Sequence, residues 1–229
     1  MMQRYYKIGP FRINIGFDDN ELGKKVIEKL AYVCPAALGY ETILEDREDC
    51  KCSIFINKVH QKKVSKPGCY IIKENNNHLI YSPDLRSVEV FLSKEVGSFH
   101  YIFQYLWNLM IFVPFFLKHN AVMLHAAGVS YKSKGFIFIG SSGIGKTTMC
   151  HILAQAKTRI LSDERILVHN KNSRVSNAYP LWIFSQGGRD LSTTFKGSSI
   201  PLKAAFFLRQ SNEFAVKELS LWDKIKKLY

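Results

Sequence analysis

The sharpest chemical signature in the chain is Gly140-Ser141-Ser142-Gly143-Ile144-Gly145-Lys146-Thr147, which fits the spacing G-x-x-x-x-G-K-[ST]. Each residue type has a physical reason. Glycines at 140, 143 and 145 let the backbone wrap closely and take positive φ. The amides of such a loop turn inward as an anion nest. A helix that begins at Lys146–Thr147 adds the positive end of its dipole. Lys146 has the reach to bridge two phosphates, and the Thr147 hydroxyl suits Mg²⁺. The residues from Gly140 to Thr148 are thus the expected cofactor contacts, with ATP and Mg as the expected ligands.

The next carboxylates along the chain are Asp163 and Glu164, at the end of RILSDE. A strand that delivers an acidic pair beside a phosphate loop is where a base or a metal-organising carboxylate belongs. The competing reading is a solvated turn at a strand end. His125 lies in VMLHAAG, just before the strand that feeds the loop. A lone histidine in an apolar stretch is more often a satisfied core residue than a functional one. Charge placement agrees with an anionic ligand. Between Glu95 and Asp163 there is no Asp or Glu, whereas Lys118, Lys132, Lys134, Lys146, Lys157 and Arg159 are all present. A triphosphate carries roughly four negative charges, so a field of this sign favours it. Lys132 and Lys134, in the turn YKSKG, read as solvated surface lysines.

The elements that must position these groups come next. Phe136–Ile139 is a short, wholly apolar run, as expected of a strand buried on both faces. Thr147–Ala156 follows the loop with Met149, Ile152 and Leu153 at helical spacing. Arg159–Leu161 and Ala204–Leu208 are further strands. Upstream, Tyr5–Phe17 alternates around Gly9-Pro10 and predicts a hairpin. Cys52–Val59 alternates too, and Gly68–Lys73 and His78–Ser82 flank the turn signal Asn75-Asn76-Asn77. Glu21–Val33 and the stretch from Ser87 through Tyr105 to Phe116 read as helical. The expected organisation is a β-rich α+β module over residues 1–95, followed by an α/β nucleotide-binding domain over residues 96–229.

Composition bounds the rest. The 229 residues are 47% hydrophobic and 22% charged, which excludes a disordered chain, a collagen or a disulfide-stapled scaffold. Lys+Arg 32 against Asp+Glu 19 leaves +13, a balance that calls for anionic partners without choosing among them. No nucleic-acid module and no basic stripe interleaved with aromatics is present, so nucleic acid is not an expected partner. The cysteines (Cys34, Cys50, Cys52, Cys69, Cys150) are odd in number, and no pair has the two-residue gap of a zinc knuckle, even with His60 and His78 nearby. Reduced thiols of a cytoplasmic protein are the expectation. The N-terminus has no apolar core of signal-peptide length. Tyr101–Leu117 contains Gln104, Asn108 and Pro114 and falls short of the ~20 apolar residues a bilayer needs. It reads as a core helix ending near Pro114, not a span, although its basic flanks are compatible with a peripheral membrane contact.

Taken together, LHAAGV, FIFIGSSGIGKTTM and RILSDE resemble the catalytic core of the HPr kinase/phosphorylase family and its small kinase-like relatives. The resemblance covers 122–168, with a weaker echo at Tyr179-Pro180-Leu181-Trp182 and at Ile200–Ala204. It implies a P-loop core with a mixed sheet, in which a His-bearing strand pairs with the strand feeding a Walker A loop. It also implies a Mg·ATP-dependent kinase acting on a serine hydroxyl of a peptide or small protein. By the same resemblance Asp163 is the general base, His125 the active-site histidine, and Glu164, with Thr147, the metal ligand, standing where the family usually has a second Asp. Arg165 and Arg189 become candidate γ-phosphate stabilisers. The region that recognises HPr has no clear match, and the chain stops at Tyr229 soon after AAFFL, so HPr is not the expected acceptor. A nucleotide-gated binding or chaperone module with slow hydrolysis is the alternative, and a homo-oligomer is compatible with either.

Overall fold

The computed structural model describes residues 2–17, 41–43, 52–58, 70–74, 77–92, 113–172, 175–182, 199–220 and 222–223. The chain divides into two compact units, Met1–Val122 and Met123–Tyr229.

The first unit is built on a seven-stranded mixed sheet. The predicted hairpin is present: β1 (Met2–Ile8) and β2 (Phe11–Phe17) pair antiparallel, with Ile8 opposite Phe11 across Gly9-Pro10. The sheet also holds β3 (Glu41–Ile43), β4 (Cys52–Lys58), β5 (Tyr70–Glu74), β6 (Asn77–Tyr81) and β7 (Ser87–Leu92). Their order is β3-β1-β2-β4-β7-β6-β5. The pair β5–β6 flanks the asparagine run as expected, in antiparallel register.

Two helical expectations need correction. Ser87–Leu92 is a strand, parallel to β4 and antiparallel to β6. Val88 and Val90 are buried while Glu89 between them is not. That two-residue period, carried by β-branched side chains, decides for a pleated surface over a helix. The second concerns Pro114. Helix α1 (Val113–Lys118) runs through Pro114 and continues past it. Pro114 is the second residue of this helix, where its missing N–H has no intrahelical partner to lose and its fixed φ suits the helix. Phe115 and Phe116 of α1 are buried against Phe11 of β2, with ring centroids 5.3 and 5.6 Å away. The helix expected at Glu21–Val33 and the residues 101–112 lie outside the described residues. Among the described residues no helix is long and apolar enough to cross a membrane.

The second unit is a six-stranded mixed sheet with little helix. Its strands are β8 (Ala121–Tyr131), β9 (Lys134–Ile139), β10 (Arg159–Ser162), β11 (Arg165–Asn172), β12 (Val175–Trp182) and β13 (Ile200–Phe207). The order is β10-β8-β11-β12-β13-β9, and β9 pairs back onto β8. The pairings therefore run in a ring, with β8 touching β9, β10 and β11. Only β13 and β9 run parallel among the registers described for this sheet.

Both faces of the central strands are covered. One core holds Ala126, Ile137, Leu161, Ile166, Ala178 and Ile200. The other holds Ala127, Val129, Phe138, Ile160 and Cys150, with Met149 and Leu153 packed against it. Neighbouring residues go to opposite cores: Ala126 and Ala127, Ile137 and Phe138, Leu161 and Ile160. This is why FIFI carries no polar residue. Each such side chain contributes roughly 1.5–3 kcal/mol on full burial. The second core lies under helix α2 (Lys146–Ala154). Cys150, not Ile152, fills its buried stripe; Ile152 is 58% exposed. Gly128 lets the strands close up, since a Cβ there would sit 2.8 Å from Ile166 Cδ1 and 2.9 Å from the Phe136 carbonyl oxygen.

Candidate functional site

The glycine loop leaves the end of β9 and enters α2 at Lys146. Two of its glycines have the backbone that their type predicts. Gly143 has φ 78° and Gly145, the N-cap of α2, has φ 107°. A side chain at either would be strained there. Gly140 is different: it is not among the positive-φ residues. Its glycine is required by space instead, because a Cβ would lie 2.9 Å from Ile144 Cγ2. Ser141, Ser142 and Gly143 are exposed, Thr147 is half-buried and Thr148 is exposed. The Met149 N–H bonds back to the Gly145 carbonyl at 2.9 Å, which fixes the first turn of the helix.

Lys146 is buried, 6% exposed, and curls over its own loop. Its Nζ donates to the carbonyls of Gly140 at 2.9 Å and Ser141 at 3.0 Å. Burial lowers its pKa, and the Glu164 carboxylate opposes that shift. Loop lysine and acidic bend therefore share one electrostatic environment, although 18 positions separate them in sequence.

The acidic pair occupies a bend between β10 and β11. Ser162, the last residue of β10, ties that bend. Its Oγ donates to the Arg165 carbonyl at 2.8 Å and accepts from the Arg165 N–H at 3.1 Å and the Glu164 N–H at 3.4 Å. Asp163 is buried, 6% exposed, so the reading of a fully solvated turn does not describe it. Its carboxylate lies close enough to Cys150 of α2 to act on it. The Cys150 thiol is pushed up to about 12, first by burial and then by Asp163.

His125 is not a core histidine, its side chain being 42% exposed. Its Nδ1 lies 3.1 Å from Glu164 Oε1 and 3.1 Å from the Glu164 backbone oxygen. The backbone oxygen only accepts, so this arrangement puts a proton on Nδ1. The same oxygen accepts from the Ala126 N–H at 3.1 Å. Glu164 is thus clamped to β8 through both its main chain and its side chain.

The structure brings together His125, Lys146, Asp163 and Glu164 by these contacts and fields. Arg165 begins β11 next to them, and Arg189 lies outside the described residues. Among the described residues no group of three or more His, Cys, Asp or Glu could hold a metal ion. Sequence reasoning missed Ser162. The available signal was a serine followed by two acids at a strand end, a pattern in which a hydroxyl caps backbone groups two and three residues on.

A family model described as SynChlorMet cassette protein ScmC matches residues 93–223, which include every residue of this site. No curated protein matches the chain.

Proposed function

The chain belongs to the family of SynChlorMet cassette protein ScmC, and from that premise we propose that it is a Mg·ATP-dependent phosphotransferase acting on a serine hydroxyl of a peptide or small protein. One observation carries this reading. A single loop, helix and strand, in that order, set a buried ammonium (Lys146) and a carboxylate (Glu164) in each other's field. The order of motifs that resembles HPr kinase supports it, as does the absence of carboxylates from 96 to 162.

The residues present fit an anionic ligand. Apart from the adjoining residues, no heavy atom lies within 4 Å of where a Cβ would stand on Gly143 or Gly145, so the loop keeps open space beside its backbone. When bound, Mg·ATP supplies the γ-phosphoryl group and the divalent counter-charge. The loop from Gly140 to Thr148 binds the phosphates through its amides and the Lys146 ammonium. Thr147 and Glu164 are the oxygens that would hold the cation. Asp163 takes the proton of the acceptor hydroxyl. His125 positions Glu164 through its Nδ1–H.

The test is incubation of the protein with γ-labelled ATP and serine-containing peptides. Label on the peptide is the expected result. Free phosphate alone would replace this reading with that of a nucleotide-gated binding module.

A further inference from the structure

Strand register places five cations toward the end of the six-stranded sheet opposite the glycine loop. Lys132 sits in the tight turn joining β8 to β9, and Lys134 opens β9 opposite Tyr131. Arg159 opens β10 opposite Ser130, which is itself opposite Gly135. Lys157 lies two residues before Arg159, in the turn after α2. Lys203 follows Leu202, whose register partner is Gly135. All five are exposed. Four of them lie in the stretch 96–162, which contains no carboxylate of its own.

A second, independent observation concerns the backbone. Lys132 has φ 46°, Ser133 φ 58° and Lys157 φ 60°. Two-residue hairpin turns of this hand favour Asn-Gly, and the left-handed residue after a helix favours glycine. Lysine at both positions costs local stability and forms no core contact in return. Leu85 and Asn120 share this backbone elsewhere in the chain, but at the sheet end it presents two exposed cations, Lys132 and Lys157. Lys132 also lies over the Tyr131 ring, 5.3 Å from its centroid, and that ring is itself exposed.

We propose that this cationic sheet end docks an acidic segment of the acceptor peptide or protein, at a distance from the site of transfer. The proposal rests on the phosphotransferase reading and adds the class of acceptor. β10 runs from Arg159 at the cationic end to Ser162, directly before Asp163. At ~3.3 Å per residue that is about 13 Å. An extended acceptor held at the cationic end therefore presents a hydroxyl to Asp163 when about four to six residues separate that hydroxyl from its acidic cluster.

The experiment uses fluorescein-labelled peptides with four consecutive glutamates, a neutral spacer of two to ten residues and one serine, read by fluorescence anisotropy. Lys132→Asn/Lys157→Gly removes two charges while easing both backbones, so loss of binding in it is not loss of folding. Arg209→Gln/Lys217→Gln, at exposed positions of the C-terminal segment, removes the same two charges and is the control for net charge. The expected result is binding about tenfold weaker in the first variant, and little change in the control. With ATP present, the first variant's KM for the four-to-six-residue spacer should rise about tenfold at unchanged kcat and ATP affinity. Unchanged binding in the first variant, equal weakening in the control, or tighter binding of phosphatidylserine vesicles or random duplex DNA than of the peptide each overturns the proposal. Selective peptide binding without phosphate transfer by any protein overturns the phosphotransferase reading alone.

Discussion

The two ends of the six-stranded sheet are built on opposite principles. At the loop end the charged groups are buried or clamped: Lys146 on loop carbonyls, Glu164 on His125, and the bend knotted by Ser162. At the hairpin end the charges stand exposed, on lysines in left-handed backbone. Positive φ itself is used differently at the two ends. At Gly143 and Gly145 it is given to the residue type that adopts it freely, whereas at Lys132 and Lys157 it is imposed on side chains that resist it. The lesson is that preorganised chemistry and diffuse recognition leave different marks on one fold. The first shows as hydrogen bonds among buried polar groups, the second as unrelieved local strain beneath exposed charge.

The contrast breaks most visibly at Asp163. Asp163→Asn should slow phosphate transfer by about 10²–10⁴-fold with ATP affinity retained, measured as initial rates on a labelled peptide. Rates equal to the parent would remove the base role. Lys146→Ala should weaken ATP binding on the order of 100-fold in calorimetry, since charge-assisted hydrogen bonds contribute about 1.5–3 kcal/mol each. Gly145→Ala forces a side chain to φ 107° and should destabilise the unit by about 1–3 kcal/mol in urea unfolding.

Cys150 gives a pH test of the buried end. Its thiol ionises near 9.0 when unfolded and at about 12 when folded. Between those values the unfolded chain binds fewer protons than the native one, so stability falls as pH rises. The Cys150 contribution to that slope should approach about 1.4 kcal/mol per pH unit between pH 10 and about 12, read as the difference between the parent and Cys150→Ala. The smallest effect sharpens the other end. Lys157→Gly should stabilise the fold by about 0.5–1 kcal/mol, through relief of the left-handed lysine. A destabilised Lys157→Gly would mean that contacts of the lysine outweigh the strain of its backbone.

Much of this architecture was legible in residue types. Gly9-Pro10 between alternating runs predicts the first hairpin, and FIFI predicts a strand with two covered faces. The loop's glycines were legible because positive φ has so few takers, although Gly140 proved to be governed by the Ile144 side chain. Ser87–Leu92 was misread because the apolar residues after it favour a helix, while its own two-residue alternation is short. The His125–Glu164 contact spans 39 positions, and no local pattern encodes a pairing that depends on strand register. The strain at Lys132 and Lys157 was equally hidden, since a lysine's type says nothing of its φ.

Strand β8 hydrogen-bonds to the strand that launches the loop and to both strands that flank the acidic bend. Loop and bend are therefore gauged from a common ruler whose graduations are the ~4.8 Å strand spacing and the ~3.3 Å residue rise. One residue inserted into β8 between Ala126 and Tyr131 would exchange its inward and outward rows. The loop and the bend would then fall out of step by a whole graduation, which no adjustment of side chains could recover.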